Sequence, residues 1–290
     1  MVRGKTAFTA TWLAVLIVGI VTYFELRDQP FFYDANSYVL AAHGIAEKGL
    51  LNNWYHAELR TYGFPVFLIG AFKVAQWLHI SPTSGIFAMQ WPIFVGSAWL
   101  ASTSLFRSDR TRLIAFAAIA ANPLLVVYVA QALTESLSLT CVLLAVAALG
   151  RAARAGRPTV RAAWLVTGAT ASSFAMEVRP GNLLIPVFFT LAAAGVLRWT
   201  NVKCRWPANV ATAMVVSAAL LVPLVPQVLV NHHNYQRLTP FPVFDLAGLQ
   251  ASEGVSLIRY ASNVSPDCGE AALRFLNPAK PVVEIGRAHV

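Results

Sequence analysis

Residues 6–24, 113–134 and 206–236 contain no charged side chain. An α-helix needs about 20 consecutive apolar residues to cross the hydrocarbon core of a bilayer. Inside that core only helices and closed barrels satisfy their own backbone groups. Three such runs restrict the fold more than any motif does. The rest of the chain cannot give them a water-facing surface: 12% of the residues are charged and 57% hydrophobic. Soluble domains carry about 25% and 45–50%. The expected class is all-α, a polytopic transmembrane helical bundle. Spans are expected near residues 7–25, 62–78, 85–105, 113–131, 136–150, 162–176, 181–197 and 208–230.

A formal net charge of +9 would suit nucleic acid if it were spread over a surface, but it is not. Twelve of the 22 Lys and Arg fall in four clusters between apolar runs: Arg3 and Lys5; Arg107, Arg110 and Arg112; Arg151, Arg154, Arg157 and Arg161; Arg198, Lys203 and Arg205. Asp109 is the single acid among them. Short Lys/Arg-rich loops mark the cytoplasmic side, so the basicity encodes orientation and no nucleic-acid partner is expected. The four clusters then lie inside. Loop 26–60, the neighbourhood of Glu135, the stretch EVRP and the segment after Asn231 lie outside. One inconsistency follows. Passing from an outer loop at 60 to an inner one at 107 takes an odd number of crossings, yet two apolar spans lie between. Either one of them is short, re-entrant or interfacial, or the 107–112 cluster is outside.

The first span starts basic, as a signal peptide does. Its apolar region is longer than the usual 7–15 residues and no small-x-small cleavage site follows, so it is expected to remain as a helix. Within the outer loop 26–61, Tyr38, Ala41, Ala42, Ile45 and Ala46 recur at helical spacing, with His43, Glu47 and Lys48 on other faces. That pattern predicts an amphipathic helix lying in the interface or packed on the bundle. Cys141, Cys204 and Cys268 show no zinc-ligand spacing and require no disulfide.

Ionisable groups at a membrane edge are expensive, which makes each a functional candidate. Five features stand out, all on the outer side. FFYDANSY places Asp34 among aromatics, with Tyr38 after it. RTYGFP carries Arg60 at the start of the next helix. NPLLVVYVAQALTES breaks one helix at Asn-Pro and interrupts the next apolar run with Glu135. MEVRPGN sets Glu177 and Arg179 between two spans, and NHHNYQRLTPFP begins at Asn231, where the last span ends. Each has a structural alternative. Asp34 and Glu135 suit helix N-termini, Arg60 suits snorkelling to headgroups, and Arg179 suits an ion pair with Glu177. His232 and His233 are adjacent and point in different directions, so no metal is expected there.

Together such groups suit one chemistry. A carboxylate can take a proton from an acceptor hydroxyl or amine. Guanidinium groups can hold a lipid-linked phosphate and stabilise charge on it as it leaves. An apolar groove would hold an isoprenoid tail.

The order of these features resembles the GT-C superfamily of polytopic glycosyltransferases, specifically the bacterial group similar to protein O-mannosyltransferases and aminoarabinose lipid A transferases. The resemblance covers residues 7–245, with YDANSY, RTYGFP, NPLLVVYVAQALTES, EVRPGN and NHHNY standing in the family's order. It implies a GT-C-like bundle whose outer first loop carries interfacial helices. Asp34 would be the catalytic base or an acceptor-orienting acid, Arg60 and Arg179 would hold the donor phosphate, and Glu135 would position acceptor or sugar. Tyr38 and Asn231 would line the site. No cofactor or metal is implied. The partners would be a polyprenyl-phosphate-sugar donor, a lipid, glycan or protein acceptor, and membrane lipids. The location would be the bacterial inner membrane, with the site facing the periplasm. Many relatives carry two acids or a second Pro near the first two motifs, where this chain carries single ones. Residues 1–230 are expected to form the transmembrane module and 231–284 an outer polar segment that begins a truncated C-terminal part. The closing IGRAHV, residues 285–290, matches one translated frame of a common sequencing adapter and is expected to be non-native. A transporter or flippase of lipid-linked substrates is the alternative function, although no internal repeat of the kind common in transporters is evident.

Overall fold

Each apolar window expected to span is helical over most of its length in the computed structural model, which describes residues 2–27, 31, 34–52, 61–200 and 206–241. The described elements are α1 (Val2–Leu26), α2 (Asp34–Lys48), α3 (Gly63–Leu78), α4 (Pro82–Leu105), α5 (Asp109–Ala120), α6 (Pro123–Val129), α7 (Thr134–Arg154), α8 (Pro158–Val178), α9 (Leu184–Thr200), α10 (Trp206–Leu221) and α11 (Val225–Tyr235). Single 3-10 turns occupy Leu50–Asn52, Pro180–Asn182 and Val222–Leu224. No strand occurs among the described residues. Residues 242–284 and the closing hexapeptide lie outside them.

Local chemistry sets several boundaries. Ser81 and Ser108 cap α4 and α5 by accepting from the amides of Ser84 and Thr111. Asn122 accepts from Leu124 N–H ahead of Pro123 at the first position of α6, and this Asn-Pro break bends α5 against α6 by 55°. Thr6–Leu26, Thr134–Arg154, Pro180–Arg198 and Val210–Asn234 are long and apolar enough to cross a membrane. Two bent helix pairs raise the number to as many as six. These helices fit an integral membrane protein.

Hydrogen bonds sort the helix termini into two ends. At the basic end, Arg151 donates to Ser104 Oγ at 3.0 Å and to Thr103 Oγ1 at 3.1 Å. Arg154 reaches the carbonyls of Thr103 and Leu105 at 3.2 and 3.3 Å. At the opposite end, Tyr23 near the close of α1 meets Ser84 at the start of α4, hydroxyl to hydroxyl at 3.0 Å. The crossing count resolves on α3. Its start binds the C-terminus of α8 through Thr61 and Glu177, and its last residue, Leu78, is three positions before Ser81, the cap of α4. Both termini of α3 therefore lie at the end opposite the arginines. The turn between α3 and α4 is 112°, well short of the reversal a second crossing would need. Span 62–78 does not traverse the bundle, and 107–112 joins 151–161 at one end.

α2 buries Ala35, Tyr38, Ala41 and Ala42, with Tyr38 edge-on to Phe64 of α3 at 5.1 Å. Of the apolar face expected from the sequence, Ile45 is half-buried and Ala46 exposed. The helix is thus packed on the bundle along one narrow stripe. α7 and α8 approach along small residues, Ala145, Ala148 and Ala152 against Gly168, Ala169 and Ala171, as membrane helices do when dispersion is the main attraction. A Cβ on Gly168 would stand 2.4 Å from the Phe189 ring and 2.9 Å from Ala148. Only glycine fits.

Candidate functional site

α8 ends at Val178, and Arg179 leaves it in an extended conformation (φ −147°, ψ 106°). Its guanidinium does not turn back to Glu177, the pairing that proximity in sequence suggested. It donates instead to Glu135 Oε1 in the first turn of α7, at 3.1 Å. Two residues singled out from separate motifs are thereby brought together. Both side chains face outward, 51% and 37% exposed, so the pair is open to an incoming charged group. The turn that follows is held by Asn182, whose amide donates to Ser138 Oγ on α7 and to Ala175 O at 3.1 Å.

Glu177 is fully buried, and neither carboxyl oxygen has a hydrogen-bond partner among the described residues. In a low-dielectric interior a carboxyl in this situation is carried as the neutral acid or held against a cation. The backbone around it is crowded. Thr61 Oγ1 donates to the Glu177 carbonyl, and a Cβ on Gly63 would lie 2.6 Å from that oxygen. The small residue in RTYGFP thus permits the start of α3 to dock on α8.

Between these two residues, Tyr62 ties α3 to the last helices. Its N–H donates to Gln227 Oε1 at 3.0 Å and its hydroxyl to Pro223 O at 2.5 Å. Burial, with a smaller contribution from the nearby Glu177 carboxyl, pushes the Tyr62 phenol above its ordinary range. Gln227 passes the connection on, donating to Asn231 Oδ1 at 3.1 Å. Asn231 is fully buried and donates to Thr239 O and Phe241 O, each at 2.7 Å. Four of the five sequence features are therefore joined by hydrogen bonds, in two groups meeting at the end of α8. Beneath them is one apolar cluster that includes Ala35, Tyr38, Phe64, Leu137 and Val178.

The remaining feature meets that cluster from the side. Asp34 is exposed, stands first in α2 and precedes Ala35, so it sits at the cluster's rim; its backbone carbonyl accepts from Ser37 Oγ at 2.7 Å. Tyr38 is buried beneath the rim. Asn231 uses its amide to fasten the chain beyond α11. Arg60 lies outside the described residues.

No family model matches this chain, and neither a curated protein nor a solved structure matches it. Among the described residues no three His, Cys, Asp or Glu side chains gather as a metal ion would require. Gln227 and Gln90 were not singled out from the sequence. Gln90 accepts from Ser136 Oγ and donates to Gln131 O at 3.4 Å, joining α4 to the start of α7. The signal was available: both are amide side chains inside apolar runs, where an unsatisfied polar group is costly.

Proposed function

We propose that the chain is a membrane glycosyltransferase. It transfers a sugar from a polyprenyl-phosphate donor to a lipid, glycan or protein acceptor, at the end of the bundle opposite the arginine clusters. The observation that carries the reading is the accessible Glu135–Arg179 pair beside the docked start of α3. A phosphodiester presents the same paired oxygens as a carboxylate and competes for the guanidinium. Donor binding then releases the Glu135 carboxylate toward the sugar or acceptor.

In this reading Asp34 takes the proton from the acceptor hydroxyl or amine as that atom attacks the anomeric carbon. The bond from anomeric carbon to phosphate oxygen breaks, and polyprenyl phosphate leaves with its charge held by Arg179 and Arg60. By the positive-inside rule this end faces away from the cytoplasm, in a bacterial inner membrane toward the periplasm. An activated lipid phosphate suits that side, where nucleotide sugars are not at hand.

Asp34→Asn keeps the shape and removes the base. Sugar transfer by the purified variant is expected to fall about 10²- to 10⁴-fold, with expression and membrane insertion unchanged; full transfer would remove the mechanism.

A second reading, transport of a lipid-linked substrate, draws on the buried Glu177, which has no hydrogen-bond partner among the described residues, and on the bent α5–α6 pair. Carboxyls that carry protons and broken helices both recur in transporters. Single cysteines at 34, 60, 135 and 179 separate the two. Labelling from the outer side alone supports the enzyme, and labelling that alternates between sides supports transport.

A further inference from the structure

The basic end contains a groove of about 930 Å³ between α1, α4 and α5. Its walls are apolar: Phe8 on α1, Trp99 on α4, Leu113 and Ala117 on α5. Phe8 and Trp99 meet edge-on at 5.7 Å, and Trp99 meets Phe116 at 5.2 Å, so the floor is a rigid aromatic cluster. Its lip is cationic. Arg110 and Arg112 line it together with Asp109.

The two arginines differ. Arg112 is engaged, donating to Asp109 Oδ1 at 2.8 Å and to Phe106 O at 2.9 Å. Arg110 is exposed and makes no hydrogen bond or ion pair among the described residues. Behind the groove, Arg151 donates to Thr103, another lining residue. A slot with aliphatic and aromatic walls, opening at the surface beside an unpaired guanidinium, has the polarity of a phospholipid: chain below, phosphate above. Net positive charge at the lip selects against zwitterionic headgroups.

We propose that this groove binds an anionic phospholipid, its acyl chain between α1 and α5 and its phosphate on Arg110. The site lies at the end opposite Glu135 and Arg179 and does not depend on the chemistry performed there. One of the arginine clusters thus does more than orient the chain.

The test uses the full chain purified in detergent. Native mass spectrometry measures retention of phosphatidylglycerol against phosphatidylcholine of the same acyl composition. The unmodified protein is expected to prefer phosphatidylglycerol. Arg110→Gln, which removes no bond among the described residues, is expected to lower that preference roughly fivefold, the effect of one surface cation on an anionic headgroup. Arg157→Gln removes the same charge at an exposed position outside the groove and is expected to change little. Ala117→Phe fills the slot with every charge in place and is expected to reduce retention as Arg110→Gln does. Equal retention of the two lipids would overturn the proposal, and so would equal losses from Arg110→Gln and Arg157→Gln. Displacement of the lipid by excess inorganic phosphate would mean that an anion site, without a lipid slot, is present.

Discussion

The two ends of the bundle use arginine in opposite ways. At the basic end Arg151 and Arg154 donate to hydroxyls and carbonyls at the close of α4, where they neutralise the negative end of a helix. Their partners are neutral, and the acid nearby, Asp109, is matched by Arg112 within one helical turn. At the other end Arg179 pairs with a carboxylate from a different helix, in the open. Next to it Glu177 has no partner among the described residues. At the basic end the one acid is matched within its own helix, and Arg110 stands exposed beside it without a partner among the described residues. The other end pairs its charges across two helices in the open, an arrangement a ligand could change, and the proposed transfer site is placed at that end for this reason.

The same substitution made at each end is the sharpest way to break this contrast. Arg179→Gln is expected to cost about 10²- to 10³-fold in sugar transfer, the scale of losing one charge-stabilising donor. Its thermal stability should move little, because an exposed ion pair contributes about 0–1 kcal/mol. Arg154→Gln is expected to leave transfer unchanged in the same assay. Equal losses from both would mean that the ends are not functionally distinct.

A somewhat smaller effect concerns how the outer end is built. Asn231→Leu removes the donors for Thr239 O and Phe241 O and strands Gln227. Leaving buried polar groups unsatisfied costs about 1–3 kcal/mol each, so a loss of roughly 3 kcal/mol in unfolding stability is expected. A variant as stable as the parent would show that the network is incidental. The smallest shift is expected from Glu177→Gln. With no hydrogen bond to lose among the described residues, it should change stability by less than about 1 kcal/mol. A larger loss would mean that the carboxyl has a charged partner. Abolished substrate movement across vesicles with stability intact would favour the transport reading over transfer.

Much of the architecture was legible in the chain. The charge-free runs and the Asn-Pro break act within windows of at most 31 residues, and in lipid such a run can satisfy its backbone only as a helix or within a closed barrel. The arginine clusters at 107–112 and 151–161 fell together at one end of the bundle, as their shared assignment to one side expected. The sequence also marked which polar residues were unusual, because each interrupted an apolar context. It could not say which of them meet. Arg179 bonds a residue 44 positions away and not its neighbour two positions back. The Tyr62 amide finds Gln227 across 165 residues. Nor could hydropathy separate α3, which stays at one end, from the helices that run the length of the bundle. Those outcomes depend on crossing angles and on rotation about each helix axis. Both are set where small residues such as Gly63 and Gly168 let backbones approach, and only the packed tertiary structure determines how closely they do.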